Sequence, residues 1–268
     1  MHLHFFRLSI LFLVLTLGSL TLGSLMHAPS ATAQASSPAP KISASSATVT
    51  KLLAPLLALP YRADGAMTAT GEYTTFASPT RRFTQPGLNC SGFVLEACRK
   101  LIQTPLTVEK AGFDRWNDSG PHSPYGHDWD YGWDLLCNIS DGHKALYLAP
   151  DGSTADPLRL DAFAAKGYDL HAPGQLEALL QRMRPDHIYL LSFNRSTARK
   201  PDVPQHYHVG LLVLNANHEP LLYQTTTQRK RSYVRNLASP KERAAFRKAF
   251  ANTGSSRKYM AVIEIPMR

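Results

Sequence analysis

Hydrophobic and polar positions along the chain divide it into three stretches of different character. Residues 1–35 carry one early charge, Arg7, then an apolar run from Leu8 to Met26, then Ala31-Thr32-Ala33-Gln34-Ala35. That order of charged, apolar and small residues predicts a secretory signal peptide. The rival reading is an uncleaved membrane anchor, since the run approaches bilayer-spanning length; in that case alone would the protein touch a membrane. No cysteine follows the run, so a lipoprotein anchor is not expected. Residues 36–50 are rich in Ser, Ala and Pro and read as a flexible linker. Residues 51–268 then form one domain, ample for a single core.

Within that domain, Leu52, Leu53, Leu56, Leu57 and Leu59 give Thr48–Leu59 a broad apolar face at helical spacing, ended by Pro60, with Pro55 a cost inside it. Residues 62–88 read as a loop. Phe93, Val94, Ala97, Cys98, Leu101 and Ile102 predict a helix from Cys90 to Ile102, closed by Pro105. Residues 104–172 read as a loop-rich insertion, with Trp116, His122, Tyr125, His127, Trp129, Tyr131 and Trp133 among Asp, Gly and Pro. Ala145–Leu148 is its one short strand. Gly174–Met183 reads as a helix. Ile188–Phe193, Tyr207–Leu214 and Leu221–Thr225 read as strands, the last two joined by the turn Asn215–Pro220. Ser239 as N-cap, Pro240 in the first turn and Glu242 three residues after the cap start a helix to Phe250, and Tyr259–Ile265 is a final strand. Helices followed by an antiparallel sheet make an α+β domain.

Charge and cysteines narrow the chemistry. The formal net charge is +9, which favours polyanions. For an exported chain the polyanion is cell wall or membrane surface, and no nucleic-acid partner is expected. Gln228-Arg229-Lys230-Arg231 is the densest basic cluster and reads as a solvated loop. The three cysteines are Cys90, Cys98 and Cys137. An odd count leaves one thiol unpaired: Cys90 stays free, and Cys98 and Cys137 either pair or remain buried thiols.

Cys90 sits where loop gives way to helix, in Gly87-Leu88-Asn89-Cys90-Ser91-Gly92-Phe93. Unpaired amides and the dipole at a helix start favour a thiolate. Ser91 and Gly92 are small enough to let a carbonyl approach the sulfur, and the Cys90 amide is placed to help bind an oxyanion. Such a nucleophile needs a base. Gln205-His206-Tyr207-His208-Val209-Gly210 supplies two imidazoles at the start of a strand, on the same side two residues apart: His208 as base, His206 as neighbour. A third polar group must hold the second ring nitrogen. The hairpin offers Gln224, through its amide oxygen; His218, in the turn, is a poorer choice.

These segments resemble the NlpC/P60 cysteine peptidases. Leu88-Asn89-Cys90-Ser91-Gly92-Phe93-Val94 resembles that family's nucleophile motif, and Pro60-Tyr61-Arg62 its Pro-Tyr-Arg. Arg184-Pro185-Asp186-His187-Ile188-Tyr189 is similar to its Pro-Gly-Asp-Leu strand start, and His208-Val209-Gly210 to its His-Val-Gly. The resemblance implies a papain-like fold in which a helix bearing the nucleophile packs against an antiparallel sheet bearing the histidine. It implies hydrolysis of peptidoglycan stem peptides, often at γ-D-glutamyl bonds to a diamino acid. It carries Cys90 as nucleophile, His208 as base, Gln224 in the place of a residue that is commonly His, and Tyr61 beside the oxyanion. Ser91, His206 and Trp129 join Tyr61 as expected oxyanion or substrate contacts. No cofactor and no metal are implied; a monomer, secreted or periplasmic, is expected. Departures are Asn89 for the usual Asp, about twenty extra residues between Tyr61 and Cys90, with Tyr73 a rival for the tyrosine's place, and the long aromatic loop.

Two other classes compete. His122, His127, Asp128 and Asp130 would be the ligands of a metal-dependent hydrolase, at a spacing that matches no zinc motif. Trp116, Trp129 and Trp133 would be the stacking platform of a non-catalytic wall-binding module. No Gly-x-Ser-x-Gly occurs, which argues against a serine hydrolase.

Overall fold

The computed structural model describes residues 46–196 and 202–267. The expected signal segment and most of the expected linker lie outside them. Along the chain run helix α1 (Ser46–Leu57), strands β1 (Gly65–Met67) and β2 (Tyr73–Thr75), helices α2 (Cys90–Leu101), α3 (Val108–Ala111) and α4 (Tyr131–Ser140), and strands β3 (Leu146–Leu148), β4 (Thr154–Ala155) and β5 (Tyr168–Asp169). Helix α5 (Gln175–Arg182), strands β6 (His187–Arg195), β7 (Gln205–Leu214), β8 (Pro220–Thr226) and β9 (Arg231–Asn236), helix α6 (Pro240–Ala249) and strand β10 (Lys258–Pro266) follow. Helix α1 begins inside the segment expected as linker, so residues 46–50 are helical. Among the described residues no helix is long and apolar enough to cross a membrane.

The chain is α+β. One antiparallel sheet runs β4-β3-β10-β6-β7-β8-β9, with β5 also paired to β10, and β1 and β2 form a separate hairpin. Central strands β6 and β10 lack a polar-out alternation because both faces of the sheet are covered. On one face, Phe93, Val94 and Ala97 of α2 and Trp133 and Leu136 of α4 pack with Leu190, Val209, Leu211 and Ile263. On the other, Leu176 and Leu179 of α5 and Phe246 of α6 pack with Tyr189, Leu191, Leu212 and Val262. The start of β6 is clamped to β10: Arg184 makes two hydrogen bonds to the Glu264 carboxylate, and the Tyr189 hydroxyl donates to it at 2.8 Å.

Three sequence expectations change. Residues 62–88 are not loop throughout but contain the β1–β2 hairpin, too short to show alternation. The 104–172 segment is not a peripheral insertion: α4 within it buries Trp133, Leu135, Leu136, Cys137 and Ile139 in the main core. Its Asp, Gly and Asn residues hid the helical period. Strand β9 carries no apolar alternation to mark it, because its buried positions are Ser232 and Arg235 while Val234 faces out; residues 228–230 of the basic cluster form the turn out of β8, and Arg231 begins β9.

Gly92 is the point where α2 meets β1. A Cβ there would stand 2.1 Å from the Gly65 carbonyl oxygen and 2.9 Å from the Ala66 Cα, both backbone atoms that cannot swing aside. The glycine of the Cys-Ser-Gly segment is therefore a packing requirement that lets α2 seat against β1. Gly92→Ala should lower the unfolding free energy by roughly 3 kcal/mol, read from urea denaturation; an unchanged midpoint would show that the close approach does not exist.

Candidate active site

The site forms where the first turn of α2 meets the early part of β7. Asn89 caps α2, its Oδ1 accepting from the Gly92 amide at 2.8 Å while its own amide donates to the Gly65 carbonyl. The departure from Asp at this position thus keeps the cap and adds no negative charge beside the sulfur. Cys90 is half-buried and free.

Across from it, the register of β7 against β6 slips by one residue. Phe193 faces His208, but Asn194 faces His206, so Tyr207 is an extra, bulged residue. The bulge overturns the expectation that His206 and His208 share a side. His206 is 2 % exposed and packs beside Trp133, with Nδ1 bonded to the Ser192 hydroxyl at 2.9 Å and Nε2 to the Ala162 carbonyl at 3.1 Å. Burial, against the Ala162 bond, pushes it down to about 4, so it stays neutral and structural. His208 instead packs against Phe193 and Phe250 and meets the Cys90 sulfur.

The two groups tune each other. Burial alone would raise the Cys90 thiol. The His208 charge, a hydrogen bond from its ring, the Val209 amide and the Ser91 hydroxyl outweigh burial and bring the thiol down to about 7. For His208, burial disfavours the charged ring, but the Cys90 charge and hydrogen bonds to Cys90 and Gln224 lift it above the ordinary histidine value. Both shifts favour the thiolate–imidazolium pair. Gln224, in β8, holds the far nitrogen: His208 Nε2 lies 3.0 Å from Gln224 Oε1, and the Gln224 amide nitrogen donates to the Tyr233 hydroxyl at 2.7 Å. Tyr233 thereby fixes which end of the amide faces the imidazole.

Cys90 and His208 stand on a ridge between two cavities. One, of about 470 Å³, is bordered by Asp64, Glu109, His127, Asp128 and Tyr131. The other, of about 260 Å³, is bordered by Tyr61, Gln224, Thr226 and Tyr233. Tyr207, swung out by the bulge, borders both. Tyr61 lies close enough to Cys90 that, after burial, the thiolate's charge is what raises its hydroxyl. Tyr73 sits in the β1–β2 hairpin and lines neither cavity. Ser91 is buried beside the sulfur, its hydroxyl 4.0 Å from it.

Several residues are placed otherwise than the sequence implied. Trp129 is 1 % exposed: its ring packs on Tyr125 and Phe163 and its Nε1 donates to Asp118, so it offers no face to a substrate. Trp133 is equally buried, which removes two of the three rings of the wall-binding platform and leaves Trp116 partly exposed. His127 and Asp128 pair with each other at 2.9 Å on the surface, while buried Asp130 lies with half-buried Asp114 and Asp118, so the four ligands of a metal-dependent hydrolase do not converge. Cys98 and Cys137 are buried free thiols, not a disulfide, and burial pushes both well up. Tyr131 is a residue that sequence reasoning missed. Its hydroxyl is buried next to Ser91 and feels Asp64 and Cys90; only its place two residues before Trp133 in the helix start would have marked it.

No family model matches the chain, and no curated protein matches it. Among solved structures it is similar to the crystal structure of protein LPG0564 from Legionella pneumophila str. Philadelphia 1, of the family model DUF1460, at 11 % identity and a TM-score of 0.43, covering 83 % of this chain and 90 % of that one.

The pairing has a direct signature. Alkylation of Cys90 by iodoacetamide should rise with pH through a midpoint of about 7. In His208→Ala the lowering influences of the imidazole are gone while burial remains, so the midpoint should move upward, to the ordinary thiol value or above. A midpoint unmoved by His208→Ala would dissolve the pair.

Proposed function

We propose that this chain is an exported cysteine hydrolase of papain-like architecture that cuts amide bonds in the peptide stems of bacterial cell wall. The observation that carries the reading is the Cys90–His208–Gln224 array, in which the nucleophile, the base and its orienting group meet at the junction of two cavities. The NlpC/P60-like motifs supply the substrate class.

The chemistry follows from the protonation states. The Cys90 thiolate attacks the scissile carbonyl carbon, and the carbonyl electrons move onto oxygen. The Cys90 amide at the start of α2, where a helix leaves its first N–H groups without an intrahelical partner, and the Tyr61 hydroxyl are the donors for that oxyanion. His208, protonated in the resting pair, gives its proton to the departing amine as the C–N bond breaks, leaving a thioester on Cys90. Neutral His208 then takes a proton from water, whose oxygen attacks the thioester. The carboxylic acid leaves and the thiolate–imidazolium pair is restored. Gln224 holds the Nε2–H throughout and so keeps Nδ1 on the sulfur side.

The two cavities suit a peptide lying across the ridge. The larger carries three carboxylates, Asp64, Glu109 and Asp128, which favour a substrate portion bearing an ammonium group, such as a diamino acid or a free amino terminus. The signal-like residues 1–35 and the net charge of +9 fit a site of action at an anionic wall outside the cytoplasm.

Purified peptidoglycan and synthetic stem peptides, with released amines quantified by mass spectrometry, test the proposal. Cys90→Ala should abolish cleavage while leaving the fold intact by circular dichroism. Cleavage that persists in Cys90→Ala, or wall binding with no cleavage by the unaltered chain, would refute it. Gln224→Leu should retain the nucleophile yet lose about 10- to 100-fold in kcat/KM, a cost on the order of 1.4–2.8 kcal/mol in transition-state stabilisation; unchanged kinetics would remove Gln224 from the array.

A further inference from the structure

Beside the cleft, three carboxylates converge with no cation to answer them. Side-chain oxygens of Asp114, Asp118 and Asp130 all lie within 4.8 Å of one another. Asp130 is fully buried and stands immediately before α4. Its Oδ1 accepts from the Ser119 hydroxyl at 2.6 Å, and its Oδ2, equally buried, has no hydrogen-bond donor. The Asp118 carboxylate lies directly against it. Asp134, one helical turn on, is a second buried acid; it takes the Arg115 amide on one oxygen and leaves the other without a donor. Among the described residues, no lysine, arginine or histidine forms an ion pair with any of the four.

Holding two buried and two half-buried carboxylates together without a counter-charge is a large electrostatic cost. The surrounding polar groups do not remove it but hold the carboxylates in place. The Asp118 and Ser119 amides donate to Asp114, and the Trp129 indole donates to Asp118 Oδ1 at 3.2 Å. Each carboxylate keeps lone pairs free for a further partner. The donor set is all oxygen, with no histidine or cysteine, which selects a hard cation over zinc or copper. Two of the three ligands sit on an irregular loop, a setting that suits the tolerant coordination of calcium better than the strict octahedron of magnesium.

We propose that Asp114, Asp118 and Asp130 bind a calcium ion that ties the 114–119 loop to the head of α4. The ion's role is structural. It fixes the segment whose neighbouring residues, Asp128 and Tyr131, border the larger cavity, and whose Trp129 carbonyl accepts the His206 amide at the foot of β7 at 2.7 Å. Calcium would thus hold one wall of the cleft without touching the reacting atoms. The inference does not depend on the proposed hydrolysis.

Terbium luminescence tests it, because Trp129 stands against a ligand and can sensitise the lanthanide. The full chain, stripped with chelator and dialysed, should show saturable terbium emission on tryptophan excitation. Excess calcium should displace it, and equal magnesium should not. Asp118→Asn and Asp130→Asn should each weaken terbium binding at least about tenfold, the loss of one charged ligand. Trp129→Phe should dim the emission yet keep a calcium-dependent rise in Tm of roughly 5 °C. Asp130 is wholly buried and Asp118 half-exposed, so the Asp118 variant separates loss of a ligand from a failure to fold. Absence of saturable emission from the unaltered chain, or emission and Tm shifts indifferent to both Asp substitutions, would overturn the proposal. So would an Asp130→Asn chain that is more stable than the original with or without calcium, since the acids would then be sharing a proton.

Discussion

A thiol is nucleophilic at neutral pH only if something stabilises its anion, and burial works against that. At Cys90 the opposition is overcome by one contact, the imidazole of His208, with help from the Val209 amide and the Ser91 hydroxyl. The same contact lifts His208 against its own burial. Neither group would carry its charge alone at that depth. Much of the surrounding structure can be understood as what is needed to bring a helix start and a strand start together and keep water and rival hydrogen bonds from separating them.

Two local devices meet that need. On the helix side, Asn89 caps α2 and Gly92 lets it approach β1 to backbone contact, so the first turn is seated firmly against the hairpin. On the strand side, the bulge at Tyr207 separates two histidines that a regular strand would have kept together. One imidazole is sealed neutral beneath Trp133 and the other is delivered to the sulfur. The bulge also turns Tyr207 outward between the two cavities. Gln224 and Tyr233, contributed by β8 and β9, complete the orientation of His208 from behind. Helices α2 and α4 on one face of the sheet and α5 and α6 on the other make the platform rigid.

The segment between α2 and β3 is where sequence and structure part most. Its sequence reads as a loop-rich insertion with a stacking platform, yet Trp129 and Trp133 are core residues, and the acids around them are partly buried rather than solvated. Aromatic rings among Asp and Gly look alike in sequence whether they face water or a sheet. The difference lies in α4, whose apolar positions pack on β6 and β7, strands far along the chain. The same holds for Asp130, which by spacing belongs with His127 and Asp128 but in space belongs with Asp114 and Asp118.

What the sequence determined by itself was the set of strongly periodic elements, the place of Cys90 at a helix start, and the histidine-bearing strand with Gln224 on the next strand over. Those features are local: a cap, an apolar stripe, an alternation and a hairpin turn are each written within some fifteen residues. Tertiary structure alone decided which histidine meets the sulfur, that Tyr131 stands within reach of its charge, that Cys98 and Cys137 stay apart, and that three aspartates converge. Each of those depends on a one-residue bulge or on packing between segments distant in the chain, where a shift of a single position reverses which way a side chain points.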